Sequence, residues 1–307
     1  MPLISIILPT YNVEKYITRA LESCINQTLK DIEIIVVDDK GQDKSIDIAY
    51  EYANKDSRIK IIHNKENLKL LHARAEGVKV ATSDLIMFLD PDDELELDAC
   101  EIAYRAMVDG GGQNTIDMVI FNSKVIRKDG IYNLFNISTN KKYINIDEYR
   151  ECFIDLKWNV WNKLYKKKYY LNAIDKINKT NYKGNMAEDA LLTYFITYEY
   201  QNKILLLNEK LYKYYTNDIS ITNTTDFYKI TENIQSFEKI LKIIKQNNKD
   251  DFTKKYFYYI NKEYIIYSLS FYRKYHFKNL FFFYKYLSFK INKKLLKLKL
   301  IIELIKK

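Results

Sequence analysis

The sequence is short of cysteine and of loop punctuation. Its 307 residues include three Cys, three Pro and seven Gly. Cys24, Cys100 and Cys152 lie far apart and are odd in number. Neither a zinc-binding spacing nor a disulfide framework follows, and a reducing compartment is expected. No apolar run reaches the roughly 18 residues of a membrane span. Met1-Pro2-Leu3-Ile4-Ser5 has no basic region ahead of its apolar run, so a secretory signal is not expected. No Gly-x-Gly-x-x-Gly follows the first apolar run, and Gly-x-x-x-x-Gly-Lys-Ser/Thr occurs nowhere. Those two absences set aside a dinucleotide oxidoreductase and a P-loop NTPase.

What the chain does have is core-forming material. It is 47% hydrophobic and 29% charged, enough for one large domain or two. The 28 Tyr, with many Lys, Asn and Ile, read as codon bias and carry no functional argument. The net charge of +9 is unevenly spread. Residues 273–307 hold eleven basic side chains and one acid, Glu303, whereas the rest of the chain is close to neutral.

Along the first hundred or so residues, strand-length apolar runs alternate with helical spacing. Leu3 to Leu8, Ile32 to Val37, Ile59 to Ile62 and Leu85 to Leu89 read as strands. Val13 to Asn26, Lys44 to Asn54 and Leu70 to Val80 read as helices between them. That alternation predicts right-handed βαβ units and a parallel sheet. The fourth strand ends at Pro91, which leaves Asp90, Asp92 and Asp93 at its carboxyl end. Ligands of open α/β sheets bind at such ends. Clustered carboxylates repel unless a cation or strong donors neutralise them, and hard oxygens suit Mg²⁺ or Mn²⁺ bridging to phosphate. An acidic turn capping the next helix is the alternative. The first strand ends in Thr10-Tyr11-Asn12 and the second in Asp38-Asp39. A stacking aromatic beside an acid that accepts from a base N–H would seat a pyrimidine, unless Tyr11 simply packs on the core.

Farther on, Asp117 to Asn122 reads as a strand, and Val125-Ile126 with Ile131 to Phe135 as a hairpin around Asp129-Gly130. Lys203 to Leu207 and Leu211 to Tyr215 read as a final strand pair, and Phe227 to Gln246 and Phe252 to Phe271 as helices. Glu188-Asp189 opens a helix from Ala190 to Tyr198, where two acids suit the helix dipole without any catalysis.

Four stretches carry a resemblance. They are Ile6-Ile7-Leu8-Pro9-Thr10-Tyr11-Asn12, Ser23-Cys24-Ile25-Asn26-Gln27-Thr28, Val36-Val37-Asp38-Asp39 and Phe88-Leu89-Asp90-Pro91-Asp92-Asp93. In order and spacing they resemble the family 2 inverting glycosyltransferases of the GT-A fold, a Rossmann-like α/β architecture with a mostly parallel sheet flanked by helices. The resemblance runs through residues 3–110 and returns at 158–222. Within the family it is nearest to bacterial lipooligosaccharide β-1,3-galactosyltransferases, through Glu22-Ser23-Cys24-Ile25-Asn26-Gln27-Thr28, Arg58-Ile59-Lys60-Ile61-Ile62-His63-Asn64 and Asn185-Met186-Ala187-Glu188-Asp189.

The resemblance implies roles position by position. Pro9, Thr10 and Tyr11 would frame uracil, and Asp39 would bind its N3–H. Asp90 would contact the ribose or metal, and Asp92 would coordinate Mn²⁺ or Mg²⁺. Arg74 would lie near the donor diphosphate or sugar; a helix-surface pair with Glu76 or Asp84 is the alternative. Asp189 would be the general base, with Glu188 orienting it. Trp158 and Trp161 belong to a Trp-Asn-Lys-Leu segment on the acceptor side, and Trp161 is the one expected to be buried. Lys213 stands where close relatives have His and could neutralise phosphate. Lys69 replaces the family's usual Gly, and Ala75 its usual Asn.

The expected organisation is a donor half at 1–110, an acceptor half at 111–225 and a helical, basic C-terminal extension at 226–307. The expected activity is metal-dependent transfer of galactose from UDP-galactose, in β-1,3 linkage, onto a terminal N-acetylgalactosamine of a lipid-linked outer core. Glucosyl or N-acetylglucosaminyl β-transfer into a capsule or glycan is the alternative. A processive synthase would need membrane spans and a Gln-x-x-Arg-Trp motif, both missing from the sequence. The basic aromatic tail predicts an anionic membrane surface as partner, at the cytoplasmic face of the inner membrane. A terminal helix packed on the domain is its alternative. No nucleic-acid motif accompanies the basic surface, so no nucleic-acid partner is expected. Association into a homo-oligomer is left open.

Overall fold

In the computed structural model, every residue of β1 (Ile4–Thr10) and β2 (Ile32–Asp38) is buried, which is why both read as unbroken apolar runs. With β3 (Ile59–His63) and β4 (Leu85–Phe88) they form a parallel set in the order β3-β2-β1-β4. The structure describes residues 1–110, 115–135, 142–156, 158–184, 186–217, 227–247 and 250–275.

The crossovers are α1 (Ile17–Ile25), α2 (Ser45–Ala53) and α3 (Lys69–Val80). A Cβ on Gly77 of α3 would lie 2.5 Å from Ile7 Cγ2 and 2.9 Å from Val37 Cγ2. Glycine therefore lets α3 sit directly on β1 and β2, and that seating sets the height of Arg74 one turn earlier.

Downstream elements extend the same sheet in the other sense. β5 (Glu94–Leu95) and α4 (Ala99–Asp109) lead into β6 (Ile116–Arg127) and β7 (Gly130–Phe135). β6 and β7 form the expected hairpin, with Arg127 opposite Gly130, whose φ of 148° suits glycine. β8 (Tyr143–Ile144), α5 (Ile146–Leu156), β9 (Lys163–Lys166), α6 (Lys167–Asn178) and α7 (Glu188–Ile196) follow. β9 is antiparallel to β4 on one side and to β6 on the other, which places the Trp-Asn-Lys-Leu segment at mid-sheet.

The expected final strand pair is instead one strand, β10 (Lys203–Tyr215). Register shifts between Leu206 and Tyr212 absorb the polar residues that read as a turn, and Asn122 Nδ2 donates to the Asn208 carbonyl there. Among the described residues the sheet runs β3-β2-β1-β4-β9-β6-β10-β5, with β7 on β6 and β8 on β10.

A buried polar node stitches the second half together. Asp117 accepts from Lys166 Nζ (2.8 Å), Tyr169 OH (3.1 Å) and the Gln201 and Asn202 N–H groups (2.7 Å each). Burial works to raise its pKa, but these donors hold it below the usual aspartate range. Cys24 and Cys100 are buried free thiols; the Cys152 side chain lies outside the described residues.

The chain divides into two units, Met1–Ile260 and Asn261–Lys307. α8 (Phe227–Gln246) and the first part of α9 (Asp251–Tyr275) belong to the first unit, and residues 261–275 continue α9 in the second. No described helix is long and apolar enough to cross a membrane. Most of the basic tail, from residue 276 on, lies outside the described residues, as do Asn185 and residues 218–226.

Candidate active site

The carboxyl ends of β1 and β2 form one wall. Pro9 and Thr10 are buried in β1, and Tyr11 projects outward, 48% exposed. Asp39 is buried and holds the loop that enters α3. Its Oδ1 accepts from Asn64 Nδ2 and Leu68 N–H (2.8 Å each), and its Oδ2 from Lys69 N–H (3.1 Å). Lys69 has φ 69°, the left-handed conformation that glycine adopts most easily. The family's usual Gly at this position thus has a backbone reason, and the loop keeps that conformation with lysine at a cost in strain.

At the exit of β4 the chain turns on itself, with Asp93 N–H donating to the Asp90 carbonyl (2.9 Å). Asp93 points inward and is fully buried. It accepts from Tyr212 OH and Tyr215 N–H (2.8 Å each), so it anchors the turn to β10. Arg19, reaching across from α1, donates to the Asp92 carbonyl and stacks 3.5 Å from the Tyr215 ring centroid. Burial, and then the neighbouring charge of Asp90, push the Asp92 carboxyl up to about 6. Asn217 Nδ2 donates to Asp92 Oδ2, while Asn217 Oδ1 is buried without a partner.

Arg74 joins the two ends of the site. It is 1% exposed, so the surface pairing with Glu76 or Asp84 does not occur; Glu76 pairs with Lys79. Its Nη2 donates to Asp90 Oδ1 and its Nη1 to Asp189 Oδ1, at 2.7 Å each. Asp189 lies in the first turn of α7, directly after Ala187, which has φ 60°. Burial raises the pKa of both acids at this helix start. Arg74 opposes that rise at both acids and the charge of Asp90 adds to it at both; Lys163 and the Val160 N–H also oppose it at Asp189, and the charge of Asp189 adds to it at Glu188.

Lys163 had no role in the sequence reading. It is buried, and its ammonium donates to the Asn159 carbonyl and to Asn162 Oδ1 (2.8 Å). Burial pushes it down to about 7. A lysine inside the apolar stretch from Val160 to Tyr165 was the signal that could have found it. Asn217 and Arg19 carry no comparable signal.

Trp161 is buried, stacked 4.5 Å from Tyr212 and 5.8 Å from Tyr214 between ring centroids. Trp158 is half-buried against Tyr259. Lys213 does not join the Asp90–Asp92 cluster. Its ammonium is held by Glu94 (2.6 Å) and Glu96 (3.3 Å) on neighbouring backbone.

The donor set at the β4 exit consists of hard oxygens, which suits Mn²⁺ or Mg²⁺. Among the described residues no three His, Cys, Asp or Glu side chains gather to hold a metal alone. Asp90 and Asp92 therefore fit a cation whose shell a diphosphate completes.

Comparison with known proteins shows the family. The model of the family "Glycosyl transferase family 2" matches residues 5–185, more than half of the chain. "Putative glycosyltransferase EpsH" of Bacillus subtilis is 45% identical over 121 residues, covering 39% of this chain and 33% of its own. "Glycosyltransferase GlyA" of Streptococcus pneumoniae is 31% identical over 230 residues, 69% of this chain and 30% of its own. The match thus spans about a third of these curated relatives. Among solved structures, S. aureus TarS 1-349 in complex with UDP-GlcNAc aligns with a TM-score of 0.62 at 20% identity, over 95% of this chain and 77% of that one. At that identity the likeness concerns the fold.

Proposed function

The chain belongs to glycosyl transferase family 2, and on that premise we propose that it transfers a hexose from a UDP-sugar to an acceptor hydroxyl with inversion at the anomeric carbon. The observation that carries this reading is the Arg74 fork, which ties the donor-side carboxylate Asp90 to Asp189 through one buried guanidinium. Pro9, Thr10, Tyr11 and Asp39 line the uridine seat. Asp189, whose charge Arg74, Lys163 and the Val160 N–H favour against burial, takes the proton of the attacking hydroxyl. Glu188 orients Asp189. The bond from the acceptor oxygen to the anomeric carbon forms as the bond to the UDP oxygen breaks, on opposite faces of the sugar. A divalent cation at Asp90 and Asp92 would supply charge for the departing diphosphate.

The finer reading is galactose from UDP-galactose, in β-1,3 linkage, to a terminal N-acetylgalactosamine of a lipid-linked lipooligosaccharide. It rests on the resemblance set out above. A galactosyl donor has support in a Borreliella burgdorferi relative called "Cholesterol galactosyltransferase", 38% identical over 107 residues, 34% of this chain and 30% of its own. The UDP-GlcNAc complex of TarS favours N-acetylglucosaminyl transfer as the second reading. Residues 1–110 and 111–225 serve as donor and acceptor halves, and the basic segment from Arg273 on brings the enzyme to an anionic cytoplasmic membrane surface. A panel of UDP-sugars offered with a simple β-N-acetylgalactosaminide, scored by UDP release and product linkage, tests the reading. Release with UDP-galactose alone and a β-1,3 product is expected. Release with no UDP-sugar would overturn it.

A further inference from the structure

Most of the buried side-chain atoms left without a partner among the described residues can donate a hydrogen bond, such as the Nε atoms of Arg19, Arg74 and Arg150. Asn217 Oδ1 stands apart because an amide oxygen can only accept. It lies just beyond β10, at the carboxylate cluster. The amide nitrogen of the same side chain donates to Asp92 Oδ2. That contact fixes which way the amide faces, since a carboxylate accepts and cannot donate. Both amide atoms hang from one carbon, so Oδ1 lies within a few ångström of Asp92.

Something must take the lone pairs of this oxygen, because a buried acceptor forfeits the hydrogen bonds it has in water. The nearby protein cations are committed elsewhere. Arg19 gives Nη2 to the Asp92 carbonyl and stacks on the Tyr215 ring, and its Nε, also without a partner, does not bond Asn217 Oδ1. Lys213 holds Glu94 and Glu96. A phosphate oxygen cannot serve, because it too accepts. A divalent cation meets both needs at once: it takes an amide oxygen readily and offsets the repulsion between Asp90 and Asp92.

We propose that Asn217 Oδ1 is a third protein ligand of the divalent cation held by Asp90 and Asp92, the donor's phosphate oxygens completing the shell. The assignment rests on the metal-dependent reading above. It gives the chain segment that leaves β10 a direct part in holding the donor, through a residue type that cysteine, histidine or acid clusters do not reveal.

The test is Mn²⁺ binding to the full-length protein, followed by the electron paramagnetic resonance signal of free Mn²⁺, with and without UDP. Asn217→Leu should weaken Mn²⁺ binding by about tenfold or more, in line with disturbing a metal's coordination environment. The variant should still unfold in one cooperative transition, at a somewhat lower temperature because the Asn217–Asp92 hydrogen bond is lost. Asn217→His should recover Mn²⁺ binding and add a ¹⁴N coupling to the pulsed spectrum that the wild type lacks. Unchanged Mn²⁺ affinity in Asn217→Leu overturns the assignment. So does a weakened Leu variant whose His counterpart shows no nitrogen coupling, because the effect then passes through the orientation of Asp92. If the wild type binds no Mn²⁺ in either condition, the metal-dependent reading itself fails, and the assignment falls with it.

Discussion

Replacing Arg74 tests the centre of the site. The guanidinium is 1% exposed and spans two carboxylates at 2.7 Å each. Removing it in Arg74→Met leaves Asp90 and Asp189 without their shared cation. Breaking a buried pair in this way typically costs about 3–5 kcal/mol. Against a total stability of about 5–15 kcal/mol that is a large loss, readable in urea unfolding. Arg74→Lys keeps the charge, but one ammonium cannot reproduce a planar fork that meets both acids. It should lose one charge-assisted hydrogen bond, about 1.5–3 kcal/mol. The decisive measurement is a double-mutant cycle. If the cost of Arg74→Met is mainly an uncompensated Asp189, adding Asp189→Asn should return part of it. The double variant should be more stable than the sum of the singles by at least about 1 kcal/mol. Additivity within about 0.5 kcal/mol would show that Arg74 does not act on Asp189, and would remove the ground for coupling donor and base.

Asp189→Asn preserves shape but cannot take a proton, so turnover should fall by roughly 10²–10⁴-fold with UDP affinity little changed. Normal turnover in Asp189→Asn with a dead Glu188→Gln would reverse their roles. Asp92→Ala should cost on the order of several kcal/mol of transition-state stabilisation, and chelator should silence the wild type until Mn²⁺ is restored; full turnover in excess chelator would end the metal reading. Glu33 accepts from Ser5, Thr82 and Lys60, and although burial works to raise its pKa these donors hold it at about 2. A depressed carboxylate adds stability that is present above its unfolded pKa and lost as pH falls through the folded one. With half-exposed Lys60 screening the site, the advantage over Glu33→Gln should be about 2 kcal/mol at neutral pH. It should shrink by about a quarter at pH 4 and by more than half at pH 3; a difference constant from pH 7 to 3 would contradict it. Deleting residues 273–307 should release the protein from anionic vesicles while sparing transfer to a short soluble acceptor, and full-length protein that ignores such vesicles at low salt would refute the membrane role.

How far the sequence foretells the molecule depends on whether a feature is local. β1, β2 and β4 are legible because burial on both faces makes each an apolar run, and Pro91 marks where β4 must end. β9 is not. It begins and ends in lysine, yet all four of its residues are buried, with Lys163 donating to Asn159 and Asn162 and Lys166 to Asp117. Asp117 lies 49 residues from Lys166, so no local period announces the strand. β10 was read as two strands because Asn208, Glu209 and Lys210 resemble a turn, whereas sheet pairing with β6 carries the chain through them as a bulge. The site follows the same rule. The family resemblance implied a donor-side place for Arg74, but the neighbours in sequence offered Glu76 and Asp84, while its partners lie 16 and 115 residues away.

Strain at the helix start has the same long-range origin. Ala187 adopts φ 60° without the freedom of glycine, which costs on the order of 1 kcal/mol and persists only when its surroundings over-determine it. What over-determines it is the next turn. Asp189 is pinned by Arg74, Arg74 is pinned by Asp90, and α3 is seated on β1 and β2 through Gly77. The separation of the two carboxylates is thereby set by the width of a planar guanidinium borne on a helix packed against the sheet, not by the loops that carry them. Held in that way, the proposed base keeps a fixed distance from the donor-side acid, which a direct displacement between two bound substrates requires.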